Sequence, residues 1–220
     1  SSCGHPLQIY DLIPVVSYLL LKGRCRYCNA PISLRYPIVE LLTGILFGGL
    51  YLKYSFTIRF FVYAVLASIL LVAAFIDLEH RIIPNGLVLF GSIIALIFDI
   101  LQLHVHWLDG LLGMLFGGGI LLLIALLSLI LLKKEGMGGG DIKLMGMIGL
   151  FLGWRLTLLS LVLSIYIGGI MGGIALLIRW KKAGDSIPYG PFIALGTLIA
   201  MFFGEEILLW YFLRYGWFYG

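Results

Sequence analysis

Two aspartates stand out by their surroundings. Asp77 lies in "FIDLEHRIIPN" and Asp141 in "EGMGGGDIK", each at the edge of a long apolar run. Ionisable groups at membrane depth are costly and more often functional than not. Two carboxylates a few ångströms apart cannot both ionise readily, so they share one proton. The ionised member then takes a proton from water as that water attacks an amide carbonyl. The protonated member donates to the carbonyl oxygen and later to the leaving amine. Such a pair titrates as a unit, which leaves acid and base unassigned. The glycines before Asp141 let a substrate backbone come close and offer N–H groups unobstructed by side chains. Each feature also has a plain reading. Aspartate is a favoured helix N-cap, glycines allow close helix approach, and Asp77 can simply reach the interface from a helix end.

The cysteines form a second constellation. Cys3, Cys25 and Cys28 all fall within the first 36 residues, the last two as "CRYC". A C-x-x-C pair serves metal binding, redox chemistry or plain structure. No thioredoxin-like strand and helix pattern surrounds this one, which weakens the redox reading. His5 offers a further ligand type, although Cys-x-His spacing is tight for zinc.

These groups must be positioned by a chain that is 61% hydrophobic and 12% charged, with a mean hydropathy of +1.08. A soluble domain is about 45–50% apolar and about 25% charged. A single core cannot hide this much apolar surface, so lipid solvates part of it. The long Leu, Ile and Phe runs suit helices better than a barrel's alternation. The expected fold is an all-α polytopic bundle of about seven transmembrane helices. The spans fall roughly at 37–52, 57–76, 85–103, 109–132, 141–154, 157–179 and 190–213, set against about 20 apolar residues per span. Residues 1–36 read as a small polar cysteine-bearing domain, and 37–220 as the membrane domain.

Orientation follows from Lys and Arg. One set of loops carries eleven: Lys22, Arg24, Arg26, Arg35, Arg81, Lys133, Lys134, Lys143, Arg179, Lys181 and Lys182. The opposite set carries four: Lys53, Arg59, Arg155 and Arg214. The cysteine domain and both aspartates are therefore expected on the cytoplasmic side, with the C-terminus outside. This loop bias also explains the net charge of +4 and gives no reason to invoke nucleic acid. Ser1 is not a start methionine, so the native chain is expected to extend upstream.

"GGGD", residues 138–141, matches the GxGD signature of intramembrane aspartyl proteases. Together with "DLEHRIIP", "IPYGPFIALG", "DLIPVVSYLLLKGRCRYC" and "ISLRYPIVELLTG", the chain resembles the type IV prepilin peptidase family of bifunctional leader peptidases and N-methyltransferases. The resemblance runs through nearly its whole length. It implies a bacterial inner-membrane enzyme that cuts the basic leader of prepilins and pseudopilins after a glycine, on the cytoplasmic side. The enzyme then methylates the new N-terminal residue using S-adenosylmethionine. It implies that Asp77 and Asp141 are the catalytic aspartates, and that Gly138 and Gly140 are the glycines of the signature. Glu79 and Lys143 match supporting positions. In the family, two cysteine pairs bind zinc. Here Cys25 and Cys28 form one pair and Cys3 matches the downstream member of the other, its partner falling at or before Ser1. The methyltransferase activity is associated with this region, which makes Gly23 in "KGRC" and Glu40 in "YPIVELLTG" the candidates for it. No glycine-rich nucleotide loop marks the donor site. Proteolysis itself calls for no metal.

Three rival readings compete. A peptidase-only relative would tend to lack the cysteine domain. A proton-coupled transporter would need further polar residues across the spans, and only Asp99 and Glu40 offer themselves. A non-catalytic scaffold would bind its client without cutting it. His104 and His106 read as an exposed loop pair. Glu205 and Glu206 are expected near the external interface, and the tail "WYFLRYGWFYG" reads as an interfacial aromatic belt. Gly168, Gly169, Gly172 and Gly173 read as a helix-packing face. The particular pilin-like client and the oligomeric state leave no mark on the sequence.

Overall fold

Apolar runs that must satisfy their own backbone hydrogen bonds in lipid fold as helices, and helices dominate here. The computed structural model describes residues 3–6, 8–101, 103–133, 137–178 and 187–215. Lys134, Arg179, Lys181 and Lys182, used above for orientation, lie outside these, as does the end of the aromatic tail from Gly216. The chain divides into two compact units, Ser1–Leu52 and Lys53–Gly220.

The first unit opens with a single 3-10 turn, Ile9–Leu12, and a short helix α1, Val16–Leu20. A tight hairpin follows, closed by Cys25 N–H to Ala30 O at 2.9 Å and Ile32 N–H to Gly23 O at 2.8 Å. Gly23 has φ +70°, a left-handed conformation that glycine adopts at little cost. The 20-residue helix α2, Arg35–Tyr54, completes the unit.

The second unit holds α3 (Ile58–His80), α4 (Asn85–Ile100), α5 (Trp107–Leu132), α6 (Gly139–Leu177) and α7 (Gly190–Tyr215). α3 buries Val62, Leu66, Ala67, Leu70 and Ala73 among others. It ends at Arg81, which takes a left-handed conformation and donates its amide to Asp77 O at 2.9 Å. Pro84 then stands as the N-cap of α4.

Among the described residues, four helices are long and apolar enough to cross a membrane: Ile58–His80, Trp107–Leu131, Gly139–Leu177 and Gly190–Arg214. The expected count of about seven spans is overstated. α2 carries Arg35, Glu40 and Lys53 within its 20 residues, and α4 is a shorter apolar helix. The stretches expected as separate spans at 141–154 and 157–179 correspond to the two arms of α6, which is interrupted between them at Gly153 with φ 72° and ψ 171°.

That interruption reverses the chain. Gly117 of α5 lies against Met145 and also against Thr157, and Gly113 lies against both Gly149 and Gly153. The two arms of α6, 139–152 and 154–177, therefore fold back beside the same stretch of α5. Gly110, Gly113 and Gly117 on α5 face the strip containing Gly146, Gly149 and Gly153 on α6. A Cβ at Gly149 would sit 2.2 Å from the backbone of Gly113. Small residues let helix backbones approach in this way, where van der Waals contact replaces a hydrophobic driving force. The glycine face expected at 168–173 is used only in part. Gly168 meets Tyr189 and Phe192, whereas Gly169 and Gly173 have nothing within 4 Å.

The second arm of α6 runs antiparallel to α7. Gly204 lies against Leu156, Gly196 against Ser160 and Ser164, and Gly168 against Tyr189. Ser160 and Thr197 share a buried hydroxyl hydrogen bond of 2.8 Å. The reversal at Gly153 thus brings the start of α7 back to the end of the bundle where α3 finishes and α6 begins.

Candidate active site

Three helix ends converge there. Asp77 lies in the last turn of α3 and is 5% exposed; Asp141 lies in the first turn of α6 and is 9% exposed. Gly138 is the N-cap of α6, so Asp141 occupies the third helical position and not the cap itself. Its carboxylate reaches back to the Gly138 backbone N–H, the acidic half of a capping box. Gly140 lets the start of α6 close on Ile83, since a Cβ there would meet Ile83 Cβ at 3.0 Å.

Asp77 is held from a third direction. The Gly190 N–H donates to Asp77 Oδ2 at 2.8 Å. As the first residue of α7, Gly190 has no helical partner for its amide, and a carboxylate at a helix N-terminus is favoured by the dipole. Only glycine fits, because a Cβ at 190 would lie 2.8 Å from Asp77 Oδ2 and 3.1 Å from its Cγ. Asp141 is close enough to feel the charge of Asp77, and the Tyr189 phenol lies within electrostatic reach of Asp141. The Tyr189 hydroxyl is buried without a hydrogen-bond partner. Burial, with the charge of Asp141 adding to it, pushes this phenol up to about 12, so it is an O–H donor throughout the neutral range. Two buried carboxylates, one N–H and one free O–H form a constellation able to hold a water and an amide carbonyl.

The supporting residues sit apart from this pair. Glu79 is exposed. Lys143 is exposed and donates to Asn85 Oδ1 at 2.9 Å, tying the start of α6 to the start of α4. Gly190 and Tyr189 carried no individual role in the sequence reading. Their signal was the "PYGP" string, whose glycine has no visible purpose until its amide is seen on Asp77.

At the other end of the same bundle, Asp99 is 1% exposed and packs against Gly110. His104 is not the exposed loop residue expected. Its Nε2 pairs with Phe151 O at 3.1 Å, its ring meets Tyr63 edge-on, and burial holds its imidazole down at about 4. Glu206 pairs with Lys53 at 2.7 Å.

The first unit gathers the cysteines. One sulfur each from Cys3, Cys25 and Cys28 lie within 4.8 Å of one another, with Cys3 and Cys25 at 3.9 Å. Zinc–sulfur bonds of about 2.3 Å in a tetrahedron place sulfurs about 3.8 Å apart, so three thiolates in this arrangement fit a zinc ion. Backbone N–H groups of Cys28 and Tyr27 converge on the Cys25 sulfur and lower its thiol to about 7. His5 stacks on Tyr27 at 4.7 Å and is not one of the group. Glu40 accepts a hydrogen bond from Val15 N–H at 2.9 Å and lines a cavity of about 130 Å³ together with Asp11, Tyr18, Cys25 and Arg26. Gly23 is not among that cavity's walls.

The pattern of the type IV leader peptidase family matches residues 64–173, and that of the bacterial peptidase A24 N-terminal domain matches residues 1–54. The chain is 38% identical over 205 residues to the prepilin leader peptidase/N-methyltransferase of Pseudomonas aeruginosa, covering 93% of this chain and 71% of that one. It is 36% identical over 209 residues to the protein of that name from Aeromonas hydrophila, covering 95% and 72%. For the Bacillus subtilis protein of the same name the identity is 32% over 209 residues, covering 95% and 82%. No solved structure matches the chain.

Proposed function

From the premise that this chain belongs to the type IV leader peptidase family, we propose that it cleaves prepilin and pseudopilin leaders with Asp77 and Asp141, and then N-methylates the new N-terminus. The observation that carries the peptidase reading is the meeting of three helix ends. The Gly190 amide holds Asp77 at 2.8 Å while Asp141 stands within reach of its charge.

The two carboxylates hold one proton between them. The ionised one accepts a proton from water as the water oxygen bonds to the carbonyl carbon of the leader glycine. The protonated one donates to the carbonyl oxygen. Collapse breaks the C–N bond, and the amine leaves with a proton from the pair. Gly138 and Gly140 keep the approach to Asp141 free of side chains. The Tyr189 hydroxyl is placed to meet the polarised carbonyl or the water. Glu79 and Lys143 act as supporting groups, Lys143 through its bond to Asn85.

The basic loop bias supports an active site facing the cytoplasm of the bacterial inner membrane. Residues 1–36 serve methyl transfer and 37–220 proteolysis, with Gly23 shaping the hairpin and Glu40 standing beside it. S-adenosylmethionine supplies an electrophilic methyl group. Cys3, Cys25 and Cys28 would hold a structural zinc ion, whose binding energy is folding energy for so small a unit. The test is the mass of a purified prepilin after incubation with the enzyme in detergent. A cut after the leader glycine, plus one methyl group only when S-adenosylmethionine is present, is the expected product. An uncut prepilin would sink the reading.

A further inference from the structure

Two buried lone pairs at the end of the bundle opposite the aspartate pair have no hydrogen to meet. Asp99, in the last turn of α4, is 1% exposed, and its Oδ2 has no hydrogen-bond partner. His104, in the loop between α4 and α5, has a buried Nδ1 in the same condition. The tautomer of His104 follows from its other nitrogen. Nε2 lies 3.1 Å from Phe151 O, and a carbonyl only accepts. Nε2 therefore carries the proton, and Nδ1 presents a bare lone pair. An imidazole anchored through one N–H to a backbone carbonyl, with its second nitrogen open, is the arrangement of a metal-bound histidine.

Both residues stand against the end of the first arm of α6. A Cβ at Gly110 would overlap Asp99 Oδ2 and lie 3.3 Å from Leu150 O, and Phe151, the acceptor for His104, is the next residue along. The arm stops at Gly153, so its last carbonyls lack helical donors and form the negative end of a dipole. A carboxylate buried beside them is costly unless a positive charge joins it. Among the described residues no side chain supplies one. Arg59, the cation within reach of His104, is paired with Glu205 at 3.8 Å.

We infer that Asp99 Oδ2 and His104 Nδ1 are ligands of a divalent transition-metal ion of the zinc class. Imidazole with carboxylate suits such an ion, whereas magnesium and calcium take oxygen ligands. Bound there, the ion clips the α4–α5 loop to the point where α6 reverses. The inference is independent of the peptidase reading and of the cysteine ligands in the first unit.

Uptake of radiolabelled zinc by the full chain in detergent, measured by equilibrium dialysis, tests it. Asp99→Asn keeps the shape and removes the carboxylate charge, and His104→Gln removes the imidazole. Each is expected to bind one zinc ion fewer than the wild type, or to bind it at least about tenfold more weakly. All variants keep the three cysteines, so zinc held there cancels in the comparison. His106→Gln, changed at the exposed histidine of the same loop, should match the wild type. Thermal melts without zinc report that the variants fold, and added zinc should raise the wild-type midpoint more than theirs. Gly110→Ala keeps every ligand and pushes a methyl onto Asp99 Oδ2, so it repeats the test should Asp99→Asn fail to fold. Equal uptake by the wild type and the folded Asp99 and His104 variants overturns the inference and leaves the position to a water or a proton. An equal loss in His106→Gln also overturns it, because the zinc would then be held by the loop surface.

Discussion

Replacing Gly190 by alanine isolates what the start of α7 does for Asp77. The Gly190 N–H donates to Asp77 Oδ2 at 2.8 Å. The added methyl would lie 2.8 Å from that same oxygen and 3.1 Å from both Cβ and Cγ of Asp77. Carbon and oxygen cannot share so short a separation, so the carboxylate must swing away and the hydrogen bond must stretch or break. A hydrogen bond to a charged group is worth about 1.5–3 kcal/mol. If that energy is lost from the transition state, a factor of ten for each ~1.4 kcal/mol gives a fall of roughly 10- to 100-fold in kcat. The same bond is made in the folded ground state, so fold stability should fall too, by no more than about 1.5–3 kcal/mol. The assay is single-turnover cleavage of a prepilin, run beside a thermal melt. Gly139→Ala is the control, because nothing lies within 4 Å of the Cβ it adds, and it should cleave like wild type. A Gly190→Ala enzyme cleaving at the wild-type rate would refute the claim that this amide positions a working carboxylate.

Four further predictions follow the same logic. Gly149→Ala drives a methyl to 2.2 Å from the Gly113 backbone and should cost about 1–3 kcal/mol of stability by overpacking, read as a lowered melting temperature. Lys143→Ala removes one exposed hydrogen bond to Asn85, worth about 1 kcal/mol at most, so prepilin cleavage should fall by less than about tenfold. If Cys3, Cys25 and Cys28 hold zinc as proposed, a chelator, or Cys28→Ser, should abolish methyl transfer through loss of the first unit's fold while leader cleavage continues, both read in one mass spectrum. His104 is held down at about 4 by burial, against an ordinary value of 6.5. The unfolded chain takes up the proton first, so this contribution is intact above about pH 6.5 and drains away as pH falls toward 4. The loss should approach roughly 3 kcal/mol, and His104→Gln should melt with a flatter pH dependence than wild type.

The features legible in the sequence are those where charge or sulfur interrupts an apolar background. Asp77, Asp141 and the three cysteines stand out because such residues are expensive in lipid or rare in the chain, and the helical class follows from the length of the apolar runs. What stayed hidden depends on partners far away in sequence. Gly190 looks like any loop glycine until its amide is seen on a carboxylate 113 residues away. His104 looked exposed because a polar loop usually is, yet the backbone of α6 supplies the acceptor that lets it be buried. The break between the spans at 141–154 and 157–179 was legible, but hydropathy does not say that one glycine, Gly153, makes the reversal. The glycine strip that packs α5 on α6 was passed over for the denser cluster at 168–173, because spacing alone does not say which face meets another helix.

The most direct test of the account is cleavage of a purified prepilin by the wild-type chain, Asp77→Asn and Asp141→Asn, compared by mass under identical detergent conditions. Both substitutions keep size and hydrogen-bonding shape while removing the shared proton. The account predicts that the wild type releases the leader after its glycine and that neither variant yields detectable product. Cleavage by either variant at the wild-type rate would contradict the aspartyl mechanism.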